Sequence, residues 1–116
     1  MRYGVFVKAA LEKRKNMREM FRQSLLAEVW KALACLAEHV GFDEAVVFGS
    51  LVRPFAFSEH SDIDIGFFHL PDDGFFFTIA FLSGCLGRDV DVIQIEKSGE
   101  FVAKILKEGV RWTKKN

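Results

Sequence analysis

Two cysteines in 116 residues, Cys35 and Cys85, are too few and too far apart for a disulfide framework or a zinc site. Cys35 falls in a helical apolar stripe and Cys85 stands near Gly84 and Gly87. Both read as small buried thiols, and a reducing compartment, the cytoplasm, is the expected location. The longest uncharged run, Gly74 to Gly87, has 14 residues, short of a membrane span. The first residues lack the layout of a signal peptide. No internal repeat and no separate second domain is visible. Net charge is zero.

That neutrality hides a division. Residues 1–40 carry eight basic and four acidic side chains, and residues 41–116 carry eight basic and twelve acidic. A basic amino-terminal part is usually a solvated face, although it also suits nucleic acid or an acidic partner. The length allows one domain, residues 1–116, with a modest core and a basic extension over residues 1–16. Thirteen phenylalanines are many for a core of that size, so some are expected in a partner interface or a nucleotide pocket.

Periodicity places the elements. Met17, Phe21, Leu25, Val29, Leu33, Leu36 and Val40 recur every three or four residues and predict a helix from Met17 to His39, stopped at Gly41. Glu44–Phe48 reads as a buried strand, Asp62–Phe68 as a second and Val90–Ile95 as a third. Ser50 is placed to cap a brief helix from Leu51, which Pro54 cuts short. Phe75–Leu86 reads as a helix with a weak point at Gly84. Ser98–Glu108 reads as the last helix, capped by Ser98, with Phe101, Ile105 and Leu106 inward and Gly109 as its stop. Helices interleaved with a small mixed sheet of three to four strands define an α/β (α+β) domain.

The chemistry sits in Ser61-Asp62-Ile63-Asp64-Ile65. Alternation along a strand sends Asp62 and Asp64 to one face and Ile63 and Ile65 to the other. Asp91 lies in the apolar Val90-Asp91-Val92 strand, where an unpaired carboxylate is costly. If the two strands are neighbours, the three carboxylates gather and repel, and one or two Mg²⁺ ions are the natural neutraliser. Asp91, from a different strand, is the better placed to meet an acceptor hydroxyl. Gly49-Ser50 ends the first strand in a turn whose hydroxyl and amides suit the phosphates of an NTP, and Arg53 reaches the same phosphates.

The combination of Gly49-Ser50-Leu51-Val52-Arg53 with Ser61-Asp62-Ile63-Asp64-Ile65 and Val90-Asp91-Val92 resembles the minimal nucleotidyltransferases of the DNA polymerase beta superfamily. The ending Ile105-Leu106-Lys107-Glu108-Gly109-Val110 is similar to that family's last helix, and the resemblance covers roughly residues 25 to 112. It implies the nucleotidyltransferase fold. It also implies nucleotide binding by Gly49, Ser50, Arg53 and Ser61, and a catalytic, metal-binding trio of Asp62, Asp64 and Asp91. Mg²⁺ and ATP, or another NTP, are the implied cofactor and substrate. Minimal members commonly stand beside a small helical HEPN protein, often an RNase toxin, and several act as antitoxins that transfer AMP to its tyrosine hydroxyl.

Two departures matter. Pro54 stands where the family has glycine, and 11 residues separate Ser50 from Asp62, one more than the commonest form. Pro54 removes an amide from the phosphate-binding turn. The leading expectation is Mg²⁺-dependent transfer of AMP to a HEPN-type partner. The alternatives are a catalytically weak module that neutralises that partner by occlusion, and transfer to RNA or a small molecule. The last ranks lower because no segment of about 50 residues is left to hold such an acceptor. A homo-oligomer through the Met17–Val40 helix is a further possibility, and no membrane contact is expected.

Overall fold

A computed structural model describes residues 2–95 and 99–114 of the chain. Its elements follow in the order α1 (Arg2–Leu36), β1 (Glu44–Phe48), a 3₁₀ turn (Gly49–Val52), β2 (Ile63–Phe68), a second 3₁₀ turn (Asp72–Gly74), α2 (Phe75–Leu86), β3 (Val90–Gln94), α3 (Glu100–Glu108) and β4 (Val110–Thr113). The strands form one mixed sheet in the order β3-β2-β1-β4. β1 runs antiparallel to β2 and β4, while β2 and β3 are parallel. A parallel pair needs a crossover, and α2 supplies it. The small mixed sheet covered by helices is thus as the sequence implied.

Side-chain alternation assigns the two faces. Ala45, Val47, Ile63, Ile65, Phe67, Val90 and Val92 pack with Leu25, Val29, Leu33 and Leu36 of α1 and Leu82 of α2. On the opposite face Val46 packs with Ile95 and Ile105, flanked by Ile93, Val102 and Leu106. α3 covers only part of that second face. Asp64 and Asp91 belong to it, at an end that the helix leaves open.

Several elements depart from expectation. α1 is continuous from Arg2, so the basic extension is helix, and residues 4–18 are all exposed. Strands of five or six residues span under about 20 Å, whereas a 35-residue helix runs about 52 Å. The helix outruns its sheet. Met17 and Phe21 therefore lie exposed, and the stripe packs only from Leu25 onward. α1 ends at Leu36 in a turn, five residues before Gly41. Gly84 does not break α2.

Cys35 and Cys85 are exposed, not buried, because each falls off the packed side of its helix. Phe101 is 63% exposed. The inward stripe of α3 is centred on Val102, Ile105 and Leu106, which leaves Phe101 on its flank. The expected Ser98 cap lies outside the described residues. β4 was not anticipated; it adds to β1 through the pairs Ala45 with Trp112 and Val47 with Val110. Gly109 makes the α3–β4 corner possible, since a Cβ there would meet Val46 and the carbonyl oxygens of Ile105 and Val47.

Leu33 is fully buried and Phe6 is 71% exposed. Leu33→Ala is expected to cost about 2–5 kcal/mol of stability. Phe6→Ala is expected to change it by less than about 0.5 kcal/mol. Urea denaturation of both variants checks the contrast.

Candidate active site

The site begins where β1 stops. Phe48, the last residue of β1, pairs with Asp64 in register. Gly49 follows with φ +79°, a left-handed conformation that L side chains rarely adopt. A Cβ at Gly49 would stand 2.6 Å from Asp64 Oδ2. The glycine is therefore required twice over, by its φ and by the carboxylate lying against its backbone. Ser50 is half-buried in the 3₁₀ turn that follows, and no side chain caps that turn.

Asp64 faces a second carboxylate from the other side. β2 and β3 are parallel and in register, with Asp64 opposite Asp91. Neighbouring strands lie about 4.8 Å apart, so two such side chains on one face meet. Burial pushes the Asp64 carboxyl up to about 6, helped by the charges of Asp91 and Asp62 and by a hydrogen bond shared with Asp91. Asp64 is half-buried, while Asp62 and Asp91 are exposed. The buried setting expected for Asp91 is thus corrected, because its strand turns that position to the open end of the face.

The structure brings Gly49, Asp62, Asp64 and Asp91 together. It does not gather every expected residue. The Ser61 hydroxyl accepts from the Ser58 amide at 3.0 Å and lies 3.2 Å from the Ser58 hydroxyl, shaping the loop before Asp62. Arg53 is exposed and makes no side-chain hydrogen bond or ion pair among the described residues. Pro54 and Phe55 occupy the middle of a turn closed by the Ala56 amide on the Arg53 carbonyl. Phe55 has φ +63°. Proline second and positive φ third is the pattern of a type II turn, with phenylalanine in the usual place of glycine.

Glu19, Arg22 and Arg88, to which the sequence assigns no role, hold these loops. Arg22 Nε and Nη2 donate to the two oxygens of Glu19 at 2.7 and 2.6 Å, and its Nη1 donates to the Leu51 carbonyl at 2.8 Å. Glu19 Oε1 also accepts the Phe55 amide at 2.7 Å, which compensates the strained turn. The bonds from Arg22 and Gln23 draw the Glu19 carboxyl down to about 2. Arg88 Nη2 donates to the carbonyls of Glu59 and Ser61, with its guanidinium over the rings of Phe57 and Phe21. One buried pair thus fixes the exit of the Gly49 turn, and one arginine fixes the approach to Asp62. A signal existed: positions 22 and 19 continue the Leu25, Val29, Leu33 stripe backward in steps of three.

Three hard oxygen donors, one of them resisting ionisation beside its neighbours, suit a divalent cation such as Mg²⁺. Among the described residues, no three His, Cys, Asp or Glu side chains already stand at ligand spacing. Rotation of the exposed Asp62 and Asp91 side chains is what a cation would require.

A family model described as a nucleotidyltransferase domain matches residues 27–113. The chain belongs to that family. No curated protein and no solved structure matches it. A nucleotidyltransferase domain moves a nucleoside monophosphate from an NTP to an acceptor, generally with divalent metal, and residues 27–113 include the Gly49 turn and all three carboxylates. The matched segment begins inside α1. Glu19 and Arg22, which brace the nucleotidyltransferase turn from outside, precede it.

The pH dependence follows from Asp64. Its folded-state value of about 6 lies above its ordinary 3.8. The folded protein therefore binds the proton more tightly than the unfolded chain does, and this site's contribution to stability falls as pH rises from about 4 through 6. Asp64→Asn removes that slope. In thermal unfolding without metal, the variant is expected to gain on wild type as pH rises, and to melt higher at neutral pH. Added Mg²⁺ is expected to raise the wild-type melting temperature at neutral pH and to do little below the Asp64 value, where protons compete.

Proposed function

We propose that this nucleotidyltransferase domain transfers AMP from ATP to a hydroxyl of a protein partner. The observation that carries the reading is Asp64, pressed against the Gly49 backbone and facing Asp91 in register. Asp62, Asp64 and Asp91 would hold Mg²⁺, which when bound offsets charge on the phosphates and on the group in transit. The turn from Gly49 to Val52 is the candidate seat for the triphosphate, with Ser50 inside it and Arg53 just past its end. Asp91, exposed at the rim, takes the proton from the acceptor hydroxyl. That oxygen forms its bond to the α-phosphorus as the bond to the bridging α–β oxygen breaks, and pyrophosphate leaves with the electron pair.

A protein acceptor is supported by the projecting half of α1. Val5, Phe6, Val7, Leu11, Met17 and Met20 are all exposed there. That is more apolar surface than a solvated arm needs. The resemblance names the partner class, a small helical HEPN protein neutralised as a toxin. A second reading, occlusion without catalysis, is favoured by Pro54 and by the engaged hydroxyl of Ser61.

The test is labelling. Wild type with α-labelled ATP, Mg²⁺ and its folded HEPN-type neighbour is expected to label the neighbour. Asp62→Asn is expected to lower the rate by about 100-fold or more while circular dichroism is unchanged. No label from wild type, with a complex that survives replacement of all three aspartates, would instead establish occlusion.

A further inference from the structure

Three cavities that share lining residues run from α1 to Asp62. The first, about 480 Å³, lies along α1 and includes Ala10, Met17 and Phe21 among its walls. The second, about 610 Å³, shares Arg14, Arg18 and Phe21 with the first and adds Phe57 and Arg88. The third, about 380 Å³, shares Glu59, His60 and Arg88 with the second and ends on Asp62. The trough is thus apolar at one end, lined by arginine in the middle, and acidic at the other, where Asp89 and Glu59 join Asp62, the one member of the carboxylate trio on its wall.

We propose that this trough holds an acidic, partly apolar segment of the partner protein and delivers its hydroxyl to the carboxylates. This rests on the protein-acceptor reading above and adds the chemistry by which the acceptor is chosen. Arg14 and Arg18 make no hydrogen bond or ion pair among the described residues, so their guanidiniums are free to pair with carboxylates. Lys13 stands on the same rim. The one acid in the middle cavity, Glu59, lies 3.5 Å from His60. From Ala10 to Phe21 the helix advances about 16 Å, the reach of roughly five extended residues. An extended segment therefore spans the apolar and basic parts together.

Nucleic acid fits this trough less well. Single-strand binders offer open aromatic faces to the bases. Here Phe57 is 4% exposed, and the Arg88 guanidinium lies over both Phe57 and Phe21. The apolar end, with Ala10 and Met17, has no counterpart on a sugar-phosphate chain.

The test uses the fluorescent copolymer poly(Glu,Tyr), read by anisotropy at low salt without nucleotide or magnesium. Wild type is expected to bind it and to leave poly(Lys,Tyr) free. Arg14→Glu with Arg18→Glu, both on an exposed helix face, is expected to weaken binding by about tenfold or more. Lys8→Glu, on the same arm but off the trough, is expected to bind like wild type, and circular dichroism confirms that each variant is folded. Failure of wild type to bind the copolymer overturns the proposal, as does equal weakening by Lys8→Glu, which marks diffuse attraction. Oligouridylate bound more tightly than the copolymer, with the same dependence on Arg14 and Arg18, assigns the trough to nucleic acid and also overturns it. The two readings fail separately. A protein that binds the copolymer but labels no partner loses the catalytic reading and keeps the trough; one that labels its partner but ignores the copolymer loses only the trough.

Discussion

The structure depends on holding like charges together. Parallel register sets Asp64 beside Asp91, and Asp62, just before β2, lies close enough for its charge to act on Asp64. Two ionised carboxylates about 4 Å apart repel by roughly 1 kcal/mol in water and 4 kcal/mol at a protein-surface dielectric. The same strands bury Ile63, Ile65, Val90 and Val92 on the opposite face. Each such side chain contributes about 1.5–3 kcal/mol. Burial therefore wins, and alternation along β2 and β3 makes the two effects inseparable. A slip of one residue would bury the aspartates and expose the valines and isoleucines. The hydrophobic pattern that folds the sheet is also what enforces the acidic cluster.

Holding the strands does not hold the loops, and here the cations act. Arg22 and Glu19 fix residues 51–55 from one side, and Arg88 fixes residues 59–61 from the other. The type II-like turn with Phe55 at positive φ would be unfavourable alone. A glycine at that point would relax it, but Glu19 supplies an acceptor for the Phe55 amide and makes phenylalanine tolerable. The Pro54-Phe55 turn is thus coupled to a helix that begins well before the matched segment. The helix and the turn are joined directly, since the Phe55 amide donates to Glu19 of α1.

What could be read from the sequence divides along physical lines. β1, β2, β3 and α2 were legible because each is a short apolar run between turn residues, and Asp62, Asp64 and Asp91 stood out as charges inside such runs. α1 was legible only where Leu25, Val29 and Leu33 meet the sheet. Beyond that, helical periodicity persists without burial, so Met17 and Phe21 gave the right element and the wrong environment. Cys35 was misread for the same reason, since a stripe on a long helix is narrower than its apolar content suggests. β4 has four residues and one inward ring, Trp112, packed on Phe42. That is too little alternation to detect. Glu19 and Arg22 were hidden by their charge, because a buried ion pair looks like surface until its partners at Leu51 and Phe55 are known. Their place on the line of Leu25 and Val29 was the available clue.

The division of charge in the sequence acquires a reason from this geometry. A cluster of three carboxylates repels both a triphosphate and an acidic acceptor, so neither approaches it unaided. The neutral total conceals a basic arm, with Arg14 and Arg18, placed against an acidic domain, with Arg88 at the join. Attraction from these arginines falls off within about 10 Å at moderate salt. That distance is close to the span from Arg14 to Phe21 along α1, about 10 Å of helix. The basic wall therefore acts only on what already lies in the trough, and a divalent cation among the carboxylates would reverse the sign at its far end.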